Sequence, residues 1–171
     1  GSGLAELRVL NQPGSGESGL HWTITEIRNE LRQIRGTVQA DQQLLGLLRE
    51  AQKDPGRLVA TPNRLLESQP ALRRLKDGLV DAQISTAGLQ GKMSDEHPLV
   101  RSAKQAEEEI GRHLHNELAI AIRGLEADLR MNRERETMLQ GQLAEATQRL
   151  TQLAELRAGY SNLVAETGNR T

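Results

Sequence analysis

From Leu118 to Leu153 the chain reads LAIAIRGLEADLRMNRERETMLQGQLAEATQRLTQL. Leu118, Ile122, Leu125 and Leu129 follow one another in alternating steps of four and three, and Leu139, Leu143, Ala146, Leu150 and Leu153 resume the pattern after a charged interval. That spacing sets one apolar side chain per turn on a single helix face, a stripe narrow enough to form the seam of a paired helix. The same register reaches Tyr160 and Val164. No proline occurs between Pro98 and Thr167, so a single helix of roughly 100 Å is expected at a rise of about 1.5 Å per residue. The charged interval, Arg130 to Glu136 (RMNRERE), places Asn132 and Glu136 where the seam calls for apolar residues.

Composition agrees with paired helices rather than a rounded core. The chain has 171 residues, lacks Phe and Cys, and carries Trp22 and Tyr160 as its sole aromatic residues, whereas aromatic rings ordinarily supply much of a compact interior. Its apolar residues are mostly Leu, Ala, Ile and Val, set among many Glu, Gln and Arg residues. A net charge of -1 provides no field to attract nucleic acid, which is not an expected partner. Without cysteine there is neither a disulfide framework nor thiol chemistry.

Upstream, Gly1-Ser2-Gly3 reads as an expression scar, so membrane elements of a parent protein are expected to have been cut away. LAELRVL and the Pro- and Gly-rich NQPGSGESG follow, and residues 1–22 are expected to form a flexible N-terminal segment. A first helix is expected from about Ile24, with the seam Ile24, Ile27, Leu31, Ile34, Val38, Leu45 and Leu48 and Asp41 as its polar interruption. Lys53-Asp54-Pro55-Gly56 should stop it: proline lacks the amide hydrogen, and glycine accepts the left-handed conformation that turns the chain.

After a linker to about Asn63, a second helix is expected around Leu65-Leu66 or from Ser68, with Pro70 in its first turn. Its seam is Leu72, Leu75, Leu79, Ala82, Thr86, Leu89 and Met93. The tip Ser94-Asp95-Glu96-His97-Pro98 offers capping side chains and a proline suited to the start of the long helix. The predicted fold is therefore all-α, an elongated antiparallel coiled-coil hairpin with one long helix against two shorter ones. Residues 23–167 form the helical region and 168–171 a C-terminal tail. Folding back from the tip would set the linker from Lys53 to Gln69 beside Ile122 to Met138, so that the two interruptions coincide, and would bring Trp22 near Tyr160 and Val164. A bundle folded over at the charged break or at Gly124 is the alternative.

No constellation of catalytic residues stands out, and neither a cofactor nor a metal site is expected. His113 and His115 are two apart, which on a helix points them to nearly opposite sides, and no HExxH pattern accompanies them. His115 is expected as a polar layer in the seam and His97 as a turn residue. Glu107, Glu108 and Glu109 read as a solvated face rather than acid-base machinery. Charge pairing that stabilises the helix is the expected role of Arg130 to Glu136. Nucleotide-binding glycine loops and the GxSxG elbow are missing, and enzyme activity is not expected.

Three stretches carry a family resemblance: RLLESQPALRRLKDGLVDAQ, SDEHPLVRSAKQAEEEI, and LEADLRMNRERETMLQGQLAEATQRLTQLAELRAGYSNLVAE. From about Thr23 to Thr167 the chain resembles the periplasmic coiled-coil region of the polysaccharide co-polymerases, the chain-length-determinant proteins, in their exopolysaccharide transport branch. The LLES segment and Tyr160-Ser161-Asn162-Leu163 belong to that likeness, and the Glu96-His97-Pro98-Leu99-Val100 tip together with the order of a broken helix before a continuous one carries most of it. The resemblance implies the periplasmic part of a bacterial inner-membrane protein, a homo-oligomer that works with a polysaccharide polymerase or an outer-membrane export channel. It implies no catalytic residue here; the matching positions are the tip and the seams. The membrane helices, a mixed α/β portion and any tyrosine-kinase domain of such proteins are not in this sequence. The coiled-coil hairpin of a periplasmic membrane-fusion adaptor is the competing reading, and a cytoplasmic coiled-coil scaffold a third.

Overall fold

The computed structural model of the chain describes residues 15–169. Among them the chain is all-α: α1 spans Ser15–Lys53, α2 Pro55–Ala60, a 3-10 turn Asn63–Leu66, α3 Pro70–Gln90 and α4 Pro98–Asn169. The long C-terminal helix expected from the seam is α4, 72 residues without a break, so neither Gly124 nor the charged stretch interrupts it. Two compact units result. Among the described residues, one joins 15–37 with 132–169, and the other runs from Val38 to Met131.

In the first unit Ile27, Leu31 and Leu139 form a buried cluster, with Ile34 and Leu143 packed against it. Each such side chain withdrawn from water contributes on the order of 1.5–3 kcal/mol. Polar contacts flank the cluster. Arg157 Nη1 donates to Glu17 Oε2 at 2.9 Å, Arg135 to Glu30, and Arg35 Nε to Glu136 Oε1 at 3.0 Å. These contacts explain why α1 begins earlier than expected. Ser15 to Trp22 are helical rather than part of a flexible segment, because Glu17 sits in the first turn, where a carboxylate suits the helix dipole, and is bound across to Arg157. The expected scar and the LAELRVL segment lie outside the described residues.

The same contacts correct two expectations of register. Glu17 and Glu30 meet Arg157 and Arg135, so Trp22, which lies between the first two, falls between their partners and short of Tyr160. Trp22 is exposed. The charged stretch meets α1 at Glu30 and Arg35, not the linker from Lys53 to Gln69. That linker does not run extended beside α4 but winds into α2 and the 3-10 turn, both packed on α3.

In the second unit α1 ends at Lys53, where the stop signal predicts, and the chain then enters a new helix instead of a turn. Asp54 caps α2: its Oδ1 accepts the Gly56 amide at 3.1 Å, with Pro55 in the first turn where a missing amide hydrogen is harmless. Gly56 is thus helical and no left-handed turn is used there. Leu58 and Leu66 are fully buried, which fixes the two short turns. Pro70 opens α3, and Leu65 and Leu66 belong to the preceding 3-10 turn. The inward side of α3 carries Leu72, Leu79 and Thr86 buried and Leu75, Ala82 and Leu89 half-buried; Met93, beyond the helix end, is also half-buried. Thr86 satisfies its hydroxyl on its own helix, donating to the Ala82 carbonyl at 2.9 Å.

Candidate interaction surfaces and polar sites

At the tip the capping side chain is His97. His97 N–H donates to the Ser94 carbonyl at 3.1 Å, and the His97 ring Nδ1 accepts the Leu99 amide at 3.1 Å, so the imidazole caps α4. Asp95 braces the turn from both sides, accepting from Gln90 Nε2 at 3.2 Å and pairing with Lys104 Nζ at 3.6 Å. Ser94 to Pro98 are all exposed, while Val100, one turn in, is fully buried and anchors the start of α4.

Along α4 in the second unit, Leu114, Leu118, Ile122, Leu125 and Leu129 are buried. Leu114 was not expected there. His115 is exposed and forms no polar layer, because stepping back four residues from Leu118 reaches Leu114, as a helix of 3.6 residues per turn prefers over a strict 3.5 repeat. His113 is also exposed, with Nε2 at 3.9 Å from Glu109 Oε1. Among the described residues no three His, Cys, Asp or Glu side chains are grouped to hold a metal ion.

Two polar sites lie inside the second unit. Lys76 is buried, and its Nζ donates to the Thr61 carbonyl and, at 2.9 Å, to Asn63 Oδ1. Asn63 Nδ2 in turn reaches Asp77 Oδ1 at 3.4 Å. A buried ammonium needs charge-assisted bonds to offset lost hydration, and here backbone and amide oxygens of the linker supply them, tying the 3-10 turn to α3. Sequence reading missed Lys76. Its signal was positional: four residues after Leu72 and three before Leu79, it occupies the inward face. Asp41, the polar interruption of the first seam, is half-buried, and burial first and the neighbouring Asp128 charge second raise its carboxyl above the usual range.

In the first unit the charged stretch works between helices rather than along its own. Arg135 and Glu136 reach α1 at Glu30 and Arg35, and both pairs are partly solvated. Beyond Leu139 the α4 seam thins: Ala146 is buried, Leu143 and Leu150 are half-buried, and Leu153 meets solvent. On α1, a Cβ on Gly16 would stand 3.9 Å from Leu153 Cδ1, and Glu17 reaches Arg157. Tyr160 and Val164, expected in the seam, are exposed, together with Leu156 and Leu163. An apolar stripe on the end of α4 therefore has no covering residue among those described.

No helix among the described residues is long and apolar enough to cross a membrane. No family model, no curated protein and no solved structure matches the chain.

Proposed function

We propose that this chain is the periplasmic helical segment of a bacterial, inner-membrane-anchored polysaccharide co-polymerase. In that role it is a non-enzymatic structural hairpin that contributes to chain-length control or export of an exopolysaccharide or O-antigen-type polymer. The finer architecture is part of the proposal: α4 is the continuous arm, and α1 and α3 are two shorter arms that run opposite to it as coiled coils. Supporting the arm order are the cross-helix partners: Glu17, in the first turn of α1, meets Arg157, whereas Glu30 and Arg35, further along α1, meet Arg135 and Glu136, some twenty residues earlier on α4.

The observation that carries the reading is the unbroken 72-residue α4 entered through the Glu96-His97-Pro98 tip. That is the feature on which the resemblance to the chain-length determinants rests. A surface of paired helices recognises partners through reach and exposed side chains, consistent with a parent that assembles as a homo-oligomer beside a polymerase or an export channel.

The parent protein provides the test. Deleting Ser94 to Pro98, or combining Leu143→Asp with Leu150→Asp, should shift the length distribution of the surface polysaccharide or reduce its export. An unchanged polymer, at unchanged protein level, would overturn the reading.

A further inference from the structure

Val100, Leu114, Leu118, Ile122, Leu125 and Leu129 are the large apolar side chains that α4 buries in the second unit. From Val100 to Leu114 the seam advances in steps of four, three, four and three, and the positions between them are Lys104, Glu107 and Gly111. Three consecutive layers therefore bring an ammonium, a carboxylate and no side chain at all. None of the residues from Arg101 to His113 is buried. On α3, the one buried residue between Leu79 and Gln90 is Thr86, whose hydroxyl is spent on its own helix.

The two helices leave a groove of about 480 Å³ along this stretch, lined by Leu79, Gln83, Thr86 and Gln90 on α3 and by Lys104 and Glu107 on α4. Lys104 is drawn to Asp95 in the turn, at 3.6 Å, and no ion pair reaches Glu107 among the described residues. An unpaired carboxylate keeps its hydration, so drawing the helices together here gains little from burial. What braces this end is the contact of Asp95 with Gln90 and Lys104, partly solvated and therefore weak, together with Val100. Gly78 and Gly111 stand at its boundary, one on each helix. The space beside both is open, so packing does not call for glycine at either, and glycine loosens a helix.

We propose that the polar seam makes residues 83–111 a conformational device, a tip that opens and recloses as one cooperative segment while the layers from Leu114 to Leu129 stay shut. Local opening of this kind is set by how few apolar contacts hold a segment, and here three seam layers in succession hold almost none. Leu89, half-buried, and Val100, fully buried, are the apolar side chains that opening releases at the tip. The inference does not depend on the polysaccharide reading, and the polymer-length experiment remains a separate test.

Residue-resolved amide hydrogen exchange of the full chain tests it, with Glu107→Leu as the deciding variant. In the parent chain, residues 104–111 should exchange together with 83–90, about a hundredfold faster than 118–129. Glu107→Leu places an apolar side chain in the groove and should slow both tip stretches by about tenfold or more, leaving 118–129 within about twofold. Glu109→Leu, on the exposed side of the same turn, controls for a general gain in helicity and should leave 83–90 unchanged. Three results would overturn the proposal: residues 104–111 as protected as 118–129, a smooth gradient falling off from Pro98 as end fraying gives, or Glu107→Leu slowing exchange no more than Glu109→Leu.

Discussion

Leu118, Ile122, Leu125 and Leu129 lie on the same helix as Leu156, Tyr160 and Leu163 and share their spacing, yet the first set is 1–7% exposed and the second 63–70%. Spacing therefore chooses which face of α4 is apolar, and a neighbouring element decides whether that face leaves water. In the second unit, neighbours are plentiful: α2, the 3-10 turn and α3 pack together, and Leu58, Leu66 and Leu72 are fully buried. In the first unit α1 is the helix that faces α4 among the described residues, and it reaches Leu153 and Arg157.

The difference can be broken most forcefully at the linker. Leu66→Ala should destabilise the fold by about 2–5 kcal/mol through lost burial and a cavity, whereas Leu156→Ala, measured at low concentration, should change stability by less than about 0.5 kcal/mol. Equal losses in chemical denaturation would show that the two regions do not differ as described.

Next comes the buried ammonium. Lys76→Met keeps the aliphatic stem but leaves the Thr61 carbonyl and Asn63 without their donor, and a loss of about 1–3 kcal/mol is expected in thermal or urea unfolding. Protease should then cut the linker between Ala60 and Gln69 sooner than in the parent chain, which limited proteolysis reads directly.

A smaller effect belongs to the first unit. The Arg35–Glu136 pair is partly solvated, so a double-mutant cycle with Arg35→Ala and Glu136→Ala should give a coupling of no more than about 1 kcal/mol, fading as salt is raised. Large coupling that survives high salt would mean the charged stretch is part of a desolvated core.

The smallest expected effect sharpens the picture at Asp41. Its folded carboxyl is raised by burial and by Asp128, so the folded state binds its proton more tightly than the unfolded state does. The penalty is absent below the ordinary carboxylate range, grows as pH rises through the raised value, and is complete above it. Asp41→Asn should therefore raise the melting temperature at neutral pH, with the gain vanishing in acid. A gain independent of pH would assign it to packing instead.

Much of this was legible in the residues. Apolar periodicity located α4 almost to its ends, and Pro70 and Pro98 marked helix starts because a proline suits a first turn. The seams picked Leu31, Leu48, Leu72 and Leu139, all nearly or wholly buried. What periodicity does not carry is length taken up between helices. Pro55 and Gly56 read as a stop and turn, yet an Asp54 cap makes them the start of another helix, and the chain wound into α2 and the 3-10 turn displaces the expected register. That shift moved the charged stretch away from the linker and Trp22 away from Tyr160. Lys76 was hidden for another reason: a charge on an inward face is informative only once its oxygen partners, Thr61 and Asn63, are known to be close.

Amide hydrogen exchange along α4, at concentrations where the chain is monomeric, tests the contrast between the two ends of this helix most directly. Every amide there has a helical partner, so protection reports packing rather than hydrogen bonding alone. Slow exchange is predicted from Leu114 to Leu139, and fast exchange from Leu156 to Leu163. Equal protection across both stretches would contradict the account, because it would mean that the end of α4 is already covered within a single chain.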